Sequence, residues 1–129
     1  MTHPNEQLVR DGFAALADGD MDAMRRVLAD DVAWHLPGRS LASGSHHGVD
    51  QVIGYLGRLM ELSGGTFAVD LHDVVGNDRH VFAAYGITAR RDGKALNDRV
   101  LVVFHVRDGK VTEGWWAVGD QYLFDDFWS

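Results

Sequence analysis

The sequence predicts an α+β fold in which helices cover one face of a curved, mostly antiparallel sheet. Three observations lead there. Apolar residues recur with helical period in three stretches before residue 63. Alternating stretches rich in β-branched and aromatic residues fill almost everything after residue 65. The two kinds of segment are segregated along the chain, which separates α+β from interleaved α/β architectures. A chain of 129 residues is expected to be one domain, 1–129, large enough to bury about two-thirds of its unfolded surface.

Residues 5–18 place Leu8, Val9, Gly12, Phe13 and Leu16 on one helical stripe. Gly19 interrupts it, and Asp20 is a ready N-cap for a second helix with Met21, Met24, Val27 and Leu28 inward. So short a linker predicts an αα-hairpin. Residues 32–36, VAWHL, form a short strand closed by Pro37-Gly38, which can continue neither a ladder nor a helix. A Gly/Ser-rich loop carrying His46 and His47 follows. Val49, Val52, Ile53, Leu56, Leu59 and Met60 define the third helix, ended by Gly64-Gly65. Four strands complete the chain, at 66–75, 80–91, 95–106 and 110–124, with turns at Gly76-Asn77-Asp78, Asp92-Gly93 and Asp108-Gly109.

Composition narrows the function. Hydrophobic content of 46% and charged content of 24% are ordinary for a globular protein. No apolar run approaches the roughly 18 residues of a membrane span, and residues 1–6 lack the basic and apolar regions of a secretory signal. A cytoplasmic protein without a membrane partner is expected. The absence of cysteine excludes disulfides and thiolate zinc sites. A net charge of −7, with basic residues dispersed apart from Arg25-Arg26 and Arg90-Arg91, excludes a general nucleic-acid binder.

The segments GDMDAMRRVLADDVAWHLPG, HHGVDQVIGYL, RDGK and VRDGKVTEGWWAVGDQ, in this order, resemble the nuclear transport factor 2-like superfamily in its SnoaL-like branch. The resemblance covers essentially the whole chain. It implies a cone-shaped α+β barrel with three N-terminal helices over the sheet and a small-molecule cavity between them. It does not imply one reaction, because this superfold hosts isomerases, cyclases, dehydratases, hydrolases and non-enzymatic binders. Ketosteroid isomerases of the superfamily use an Asp base with an oxyanion hole of Tyr and protonated Asp. This chain has Gly12 in place of the Tyr, Leu36 in place of the base Asp, and Val102 or Leu101 in place of the protonated Asp, so steroid-isomerase chemistry is not expected.

Oriented by the resemblance, strand alternation turns Trp34, Leu36, Tyr85, Ile87, Asp98, Val100, Val102, Trp116, Val118 and Asp120 inward and His35 outward. The expected cavity is apolar and aromatic, suited to a flat hydrophobic ligand. Trp34, Leu36, Tyr85, Val102 and Trp116 form its walls, and His46 and His47 sit near its mouth. Asp120 resembles the general acid/base near the end of the last strand in SnoaL-like cyclases. A carboxylate facing an apolar pocket has its pKa raised, which suits proton transfer near neutrality. Asp98 is a second carboxylate that could divide acid and base roles with it. The plainer alternatives are a strand-end cap for Asp120, a rim position beside Arg99 for Asp98, and a backbone-bonded hydroxyl for Tyr85.

The histidine-bearing run has no HxxxH, HxH or HxxE spacing, so no metal is expected there and a lid is the more economical reading. No cofactor motif, phosphate-cradling loop or Ser-His-Asp signature is legible. His105 falls on the outer sheet face, where the resemblance implies a homodimer, and Trp115 and Trp116 face opposite ways. The tail bearing Phe124, Phe127 and Trp128 is expected to fold back as a short turn over an edge or a partner subunit. Three functions follow: a cofactor-independent acid/base enzyme (isomerase, cyclase, dehydratase or hydrolase) acting on a hydrophobic small molecule, a non-catalytic binder of such a molecule, and a structural dimer module.

Overall fold

Helix ends in the computed structural model, which describes residues 2–129, follow the capping residues. Helix α1 (Pro4–Asp18) starts where the His3 ring accepts the Asn5 N–H and stops at Gly19, whose φ of +68° a side chain would resist. Helix α2 (Met21–Val27) starts at Asp20, whose carboxylate accepts the Ala23 N–H over 3.0 Å. Strand β1 (Leu28–Leu36) leaves α2 directly and is longer than the five residues expected. Helix α3 (Val49–Leu62) and strands β3 (Ala68–Gly76), β4 (His80–Arg91) and β5 (Lys94–Arg107) lie where periodicity places them.

Two elements depart from the sequence reading. Residues Gly44–His47 form strand β2 rather than a loop, antiparallel to β1 with Trp34 opposite His46 and His35 opposite Ser45. Four residues are too few to show alternation, and their pairing is with chain already laid down. The last strand, β6 (Lys110–Val118), is shorter than expected, because Asp120 caps a fourth helix, α4 (Gln121–Phe127). Residues 121–124, expected as the end of the strand, and the tail beyond them, expected as a short turn, are instead this helix, with Phe124, Phe127 and Trp128 at i, i+3 and i+4 on one helical stripe.

The six strands lie in the order β2-β1-β6-β5-β4-β3. Every pair is antiparallel except β1 with β6. Register shifts at Leu71/Asp73, His105/Val106 and Leu28/Ala33 mark the irregularities that bend the sheet. The helices fill the concave side. Val32, Val52 and Val81 are wholly buried there, with Phe127 and Trp128 each 1% exposed. The convex side leaves Val75, Phe82, Leu101 and Trp115 exposed. Among the described residues no helix is long and apolar enough to cross a membrane.

Candidate functional site

Between the helices and the concave face lies a cavity of about 90 Å³ with an almost wholly apolar wall. Strand alternation supplies Trp34 and Leu36 from β1, Tyr85 and Ile87 from β4, Val100 and Phe104 from β5, and Trp116 and Val118 from β6. The helices add Gly12, Phe13, Tyr55 and, from the C-terminal end, Phe124 and Trp128. Gly12 brings α1 close to α2: a Cβ there would stand 3.4 Å from Val27. The volume lies well below the ~300 Å³ at which pockets for drug-sized ligands begin, though a single water needs only about 15 Å³. A compact molecule is the scale of the site.

The polar groups of the wall are few. The Trp116 indole donates to the Tyr85 hydroxyl over 2.8 Å, and Phe13 meets the Tyr85 ring edge-on at 4.9 Å. Because its oxygen accepts from Trp116, Tyr85 keeps its own proton to give. The Tyr55 hydroxyl is already committed to the Ala42 carbonyl at 2.8 Å. Burial pushes both phenols above their ordinary range, so both are neutral donors at neutral pH. The indole nitrogens of Trp34 and Trp128 are buried with no partner among the described residues. None of the described wall residues is charged.

The two carboxylates expected inside take other positions. Asp120 does not line the cavity: it lies two residues past β6 and its side chain accepts the Leu123 N–H at 3.1 Å, capping α4. Asp98 lies beside it, accepting the Asp120 N–H at 3.0 Å and the Arg99 N–H at 2.8 Å. A Cβ on Gly119 would stand 2.5 Å from the Asp98 carboxylate, so the turn from β6 to α4 is folded tightly around it. The structure thus brings Asp98 and Asp120 together, but as supports of the turn that swings Phe124 and Trp128 over the cone. Asp98 keeps its inward phase in β5, opposite Ile87 and between buried Leu96 and Val100, but its carboxylate is taken up by the turn after β6; Asp120 lies beyond the end of β6, where alternation no longer applies.

Val102 points to the concave side and is buried, yet it packs in the core without lining the cavity. His46 and His47 do not line it either. The His46 ring lies tilted at 36° against that of Tyr55, with centroids 4.3 Å apart, and its Nε2 is buried and unpartnered among the described residues. Burial, and then the charge of neighbouring His47, push the His46 imidazole below its usual pKa. His47 is exposed on β2, and its backbone N–H is taken by Gln51 at 2.9 Å.

Sequence reasoning missed Tyr55, Phe13 and Phe104 as wall residues. They belong to stripes that read equally as ordinary core, and only the shape of the cone separates the two. Trp128 had a signal in its spacing from Phe124. A second group that sequence did not reveal lies on the convex face, where the His35 ring bridges Ser45 and Glu113.

Comparison with known proteins bears on this geometry. Residues 9–114 match the SnoaL-like domain family. An uncharacterised protein of Mycobacterium tuberculosis is 36% identical over 123 residues, 95% of this chain and 94% of that one. Bal32a, from a soil-derived mobile gene cassette, is 35% identical, with a TM-score of 0.94 over 98% of this chain and 97% of its own. A nuclear transport factor 2-like protein from Burkholderia xenovorans has the same fold at 24% identity, with a TM-score of 0.85 over 100% of this chain and 98% of that one.

Proposed function

The chain belongs to the SnoaL-like domain family, and on that premise we propose that its cone binds a compact, neutral, hydrophobic molecule carrying an acceptor oxygen, such as a small aryl or cyclic ketone. One observation carries the reading: among the described wall residues, the side-chain polar groups with a hydrogen bond still to make are donors, the Tyr85 hydroxyl first and behind it the buried indole N–H groups of Trp34 and Trp128. The Tyr85 hydroxyl and the Trp34 and Trp128 indoles can each give a hydrogen bond, and the indoles can accept none. A ligand that offers an acceptor satisfies them, whereas a donor or a buried charge would find no counterpart.

Acid/base catalysis by Asp120 and Asp98 has less support, since both carboxylates already accept backbone N–H bonds outside the wall. A neutral phenol and neutral indoles can polarise a carbonyl but are poor proton acceptors. Recognition without turnover fits them better.

The test is a titration followed by tryptophan fluorescence, comparing acetophenone with the isosteric hydrocarbon α-methylstyrene. Acetophenone is expected to bind roughly 3–10-fold more tightly, the worth of one net hydrogen bond, and Tyr85→Phe should erase most of that margin. Failure of both compounds to bind, by fluorescence or thermal shift, would remove the proposal.

A further inference from the structure

We infer that Ser45, His35 and Glu113 form a second site, on the convex face, that transfers acyl groups from small hydrophobic esters. It is independent of the cone and uses none of its residues. Three strands contribute one residue each. The Ser45 hydroxyl lies 2.9 Å from His35 Nδ1, and His35 Nε2 lies 2.7 Å from the Glu113 carboxylate. The ring is further held by Trp115, stacked on it at 5.4 Å and 27°. A hydroxyl, an imidazole and a carboxylate linked in that order are the components of an activated nucleophile, recognised by geometry rather than by chain order.

The surroundings suit an ester. Ser45 is exposed, whereas His35 and Glu113 retain only 27% and 35% of their side-chain exposure. The base is therefore sheltered and the nucleophile accessible. Strand β2 is a sheet edge, and its ladder is phased by the Gly48 N–H, which donates to the Val32 carbonyl at 2.7 Å. Two and four residues back, His46 and Gly44 face β1 in the same way, so the N–H groups of Ser45 and His47 point to the open edge. The Ser45 N–H is thus free to donate to an oxyanion, as the nucleophile's own N–H does in serine proteases. Beyond His35, Trp115 begins an apolar shelf that runs through Leu101 and Phe82 and can carry the hydrophobic part of the ester.

The steps balance without any co-reactant other than water. Ser45 Oγ attacks the ester carbonyl carbon as its proton passes to His35 Nδ1. The tetrahedral intermediate collapses, the C–O bond to the alcohol breaks, and the alcohol leaves with the proton from His35. Water, deprotonated by the same nitrogen, then attacks the acyl-serine and releases the acid, returning the proton to Ser45. Glu113 is a positioning residue: it holds the ring and faces the positive charge that forms on it.

The experiment offers 4-nitrophenyl acetate to the full chain, follows nitrophenolate release, and locates the acetyl group by peptide mass spectrometry. The expected results are hydrolysis above buffer and an acetyl group on Ser45. Ser45→Ala, a change at an exposed position, should cut the rate at least tenfold with the circular dichroism spectrum unchanged, in keeping with the roughly 10²–10⁴ that a positioned base supplies. His35→Gln should do the same. Glu113→Gln should lower kcat with KM unchanged, and Glu113→Asp should restore part of it. Hydrolysis no faster than buffer, acetylation confined to lysines or to His35, or an undiminished rate in Ser45→Ala would each overturn the inference.

Discussion

The Trp116 indole donates to the Tyr85 hydroxyl across 2.8 Å inside an apolar cone, and this one bond orients the most polar spot of the cavity. It joins β6 to β4 across the intervening β5 and points the phenol's own proton toward a ligand. Tyr85→Phe would leave the indole N–H buried without an acceptor, at an expected cost of about 1–3 kcal/mol. Trp116→Phe made in the Tyr85→Phe background should cost less than in the wild type, because the partner is already gone. Urea denaturation of the four proteins measures both.

Asp120 is expected to behave as a cap. Asp120→Ala should lower stability by about 1 kcal/mol, and Asp120→Asn by only a few tenths, with ketone binding retained in the Asn variant. Chemical denaturation and the fluorescence titration read the two effects separately. A general base at this position would be told apart by turnover alone: any rate found would be abolished in the Asn variant, whereas a cap would leave it unchanged.

His46 makes stability depend on pH with a definite sign. Its folded-state pKa lies below the ordinary 6.5, chiefly through burial. Above 6.5 the ring is neutral in both states and contributes no pH dependence. As pH falls through 6.5 the unfolded chain takes up a proton that the folded chain still refuses, so stability drops until the lowered folded value is passed. His46→Phe should flatten this limb of a plot of Tm against pH between 7.5 and 5.

Gly114 leaves the space in which two rings meet. A Cβ there would lie 2.9 Å from both Phe104 and Trp116, whose rings cross edge-to-face at 5.5 Å. Gly114→Ala is therefore expected to displace one ring and cost about 1–3 kcal/mol. Because both rings line the cavity, acetophenone affinity should fall with it. A variant as stable as wild type would mean the rings move aside freely.

Much of the cone was legible because it rests on two periodicities. Trp34, Leu36, Tyr85 and Trp116 sit at alternate positions of strands long enough to show a phase, and the helices over them carry unbroken stripes. Legibility ended where periods end. Asp120 stands in the turn beyond β6, where its bond to the Leu123 N–H decides orientation rather than alternation, and Asp98, in phase within β5, is drawn to the backbone N–H groups of Arg99 and Asp120 at that same turn. His46 and His47 lie on a four-residue strand whose identity depends on its partner. The Ser45–His35–Glu113 chain left no trace in sequence, since its members meet only through the pairing of three strands.

The single parallel pairing has a consequence for how the protein comes into being. Eighty residues of chain separate Ala33 from its β6 partner Glu113. During synthesis, β1 can find β2 and α3 early, but its other edge stays bare until almost the whole chain has been made. Non-local pairings of this span are slow to form, so the final closure of the sheet, and with it both the cone and the convex-face cluster, waits for the last twenty residues. A nascent chain halted before residue 110 would expose β1 to other chains. Such a fragment should depend on chaperones far more than the finished molecule does.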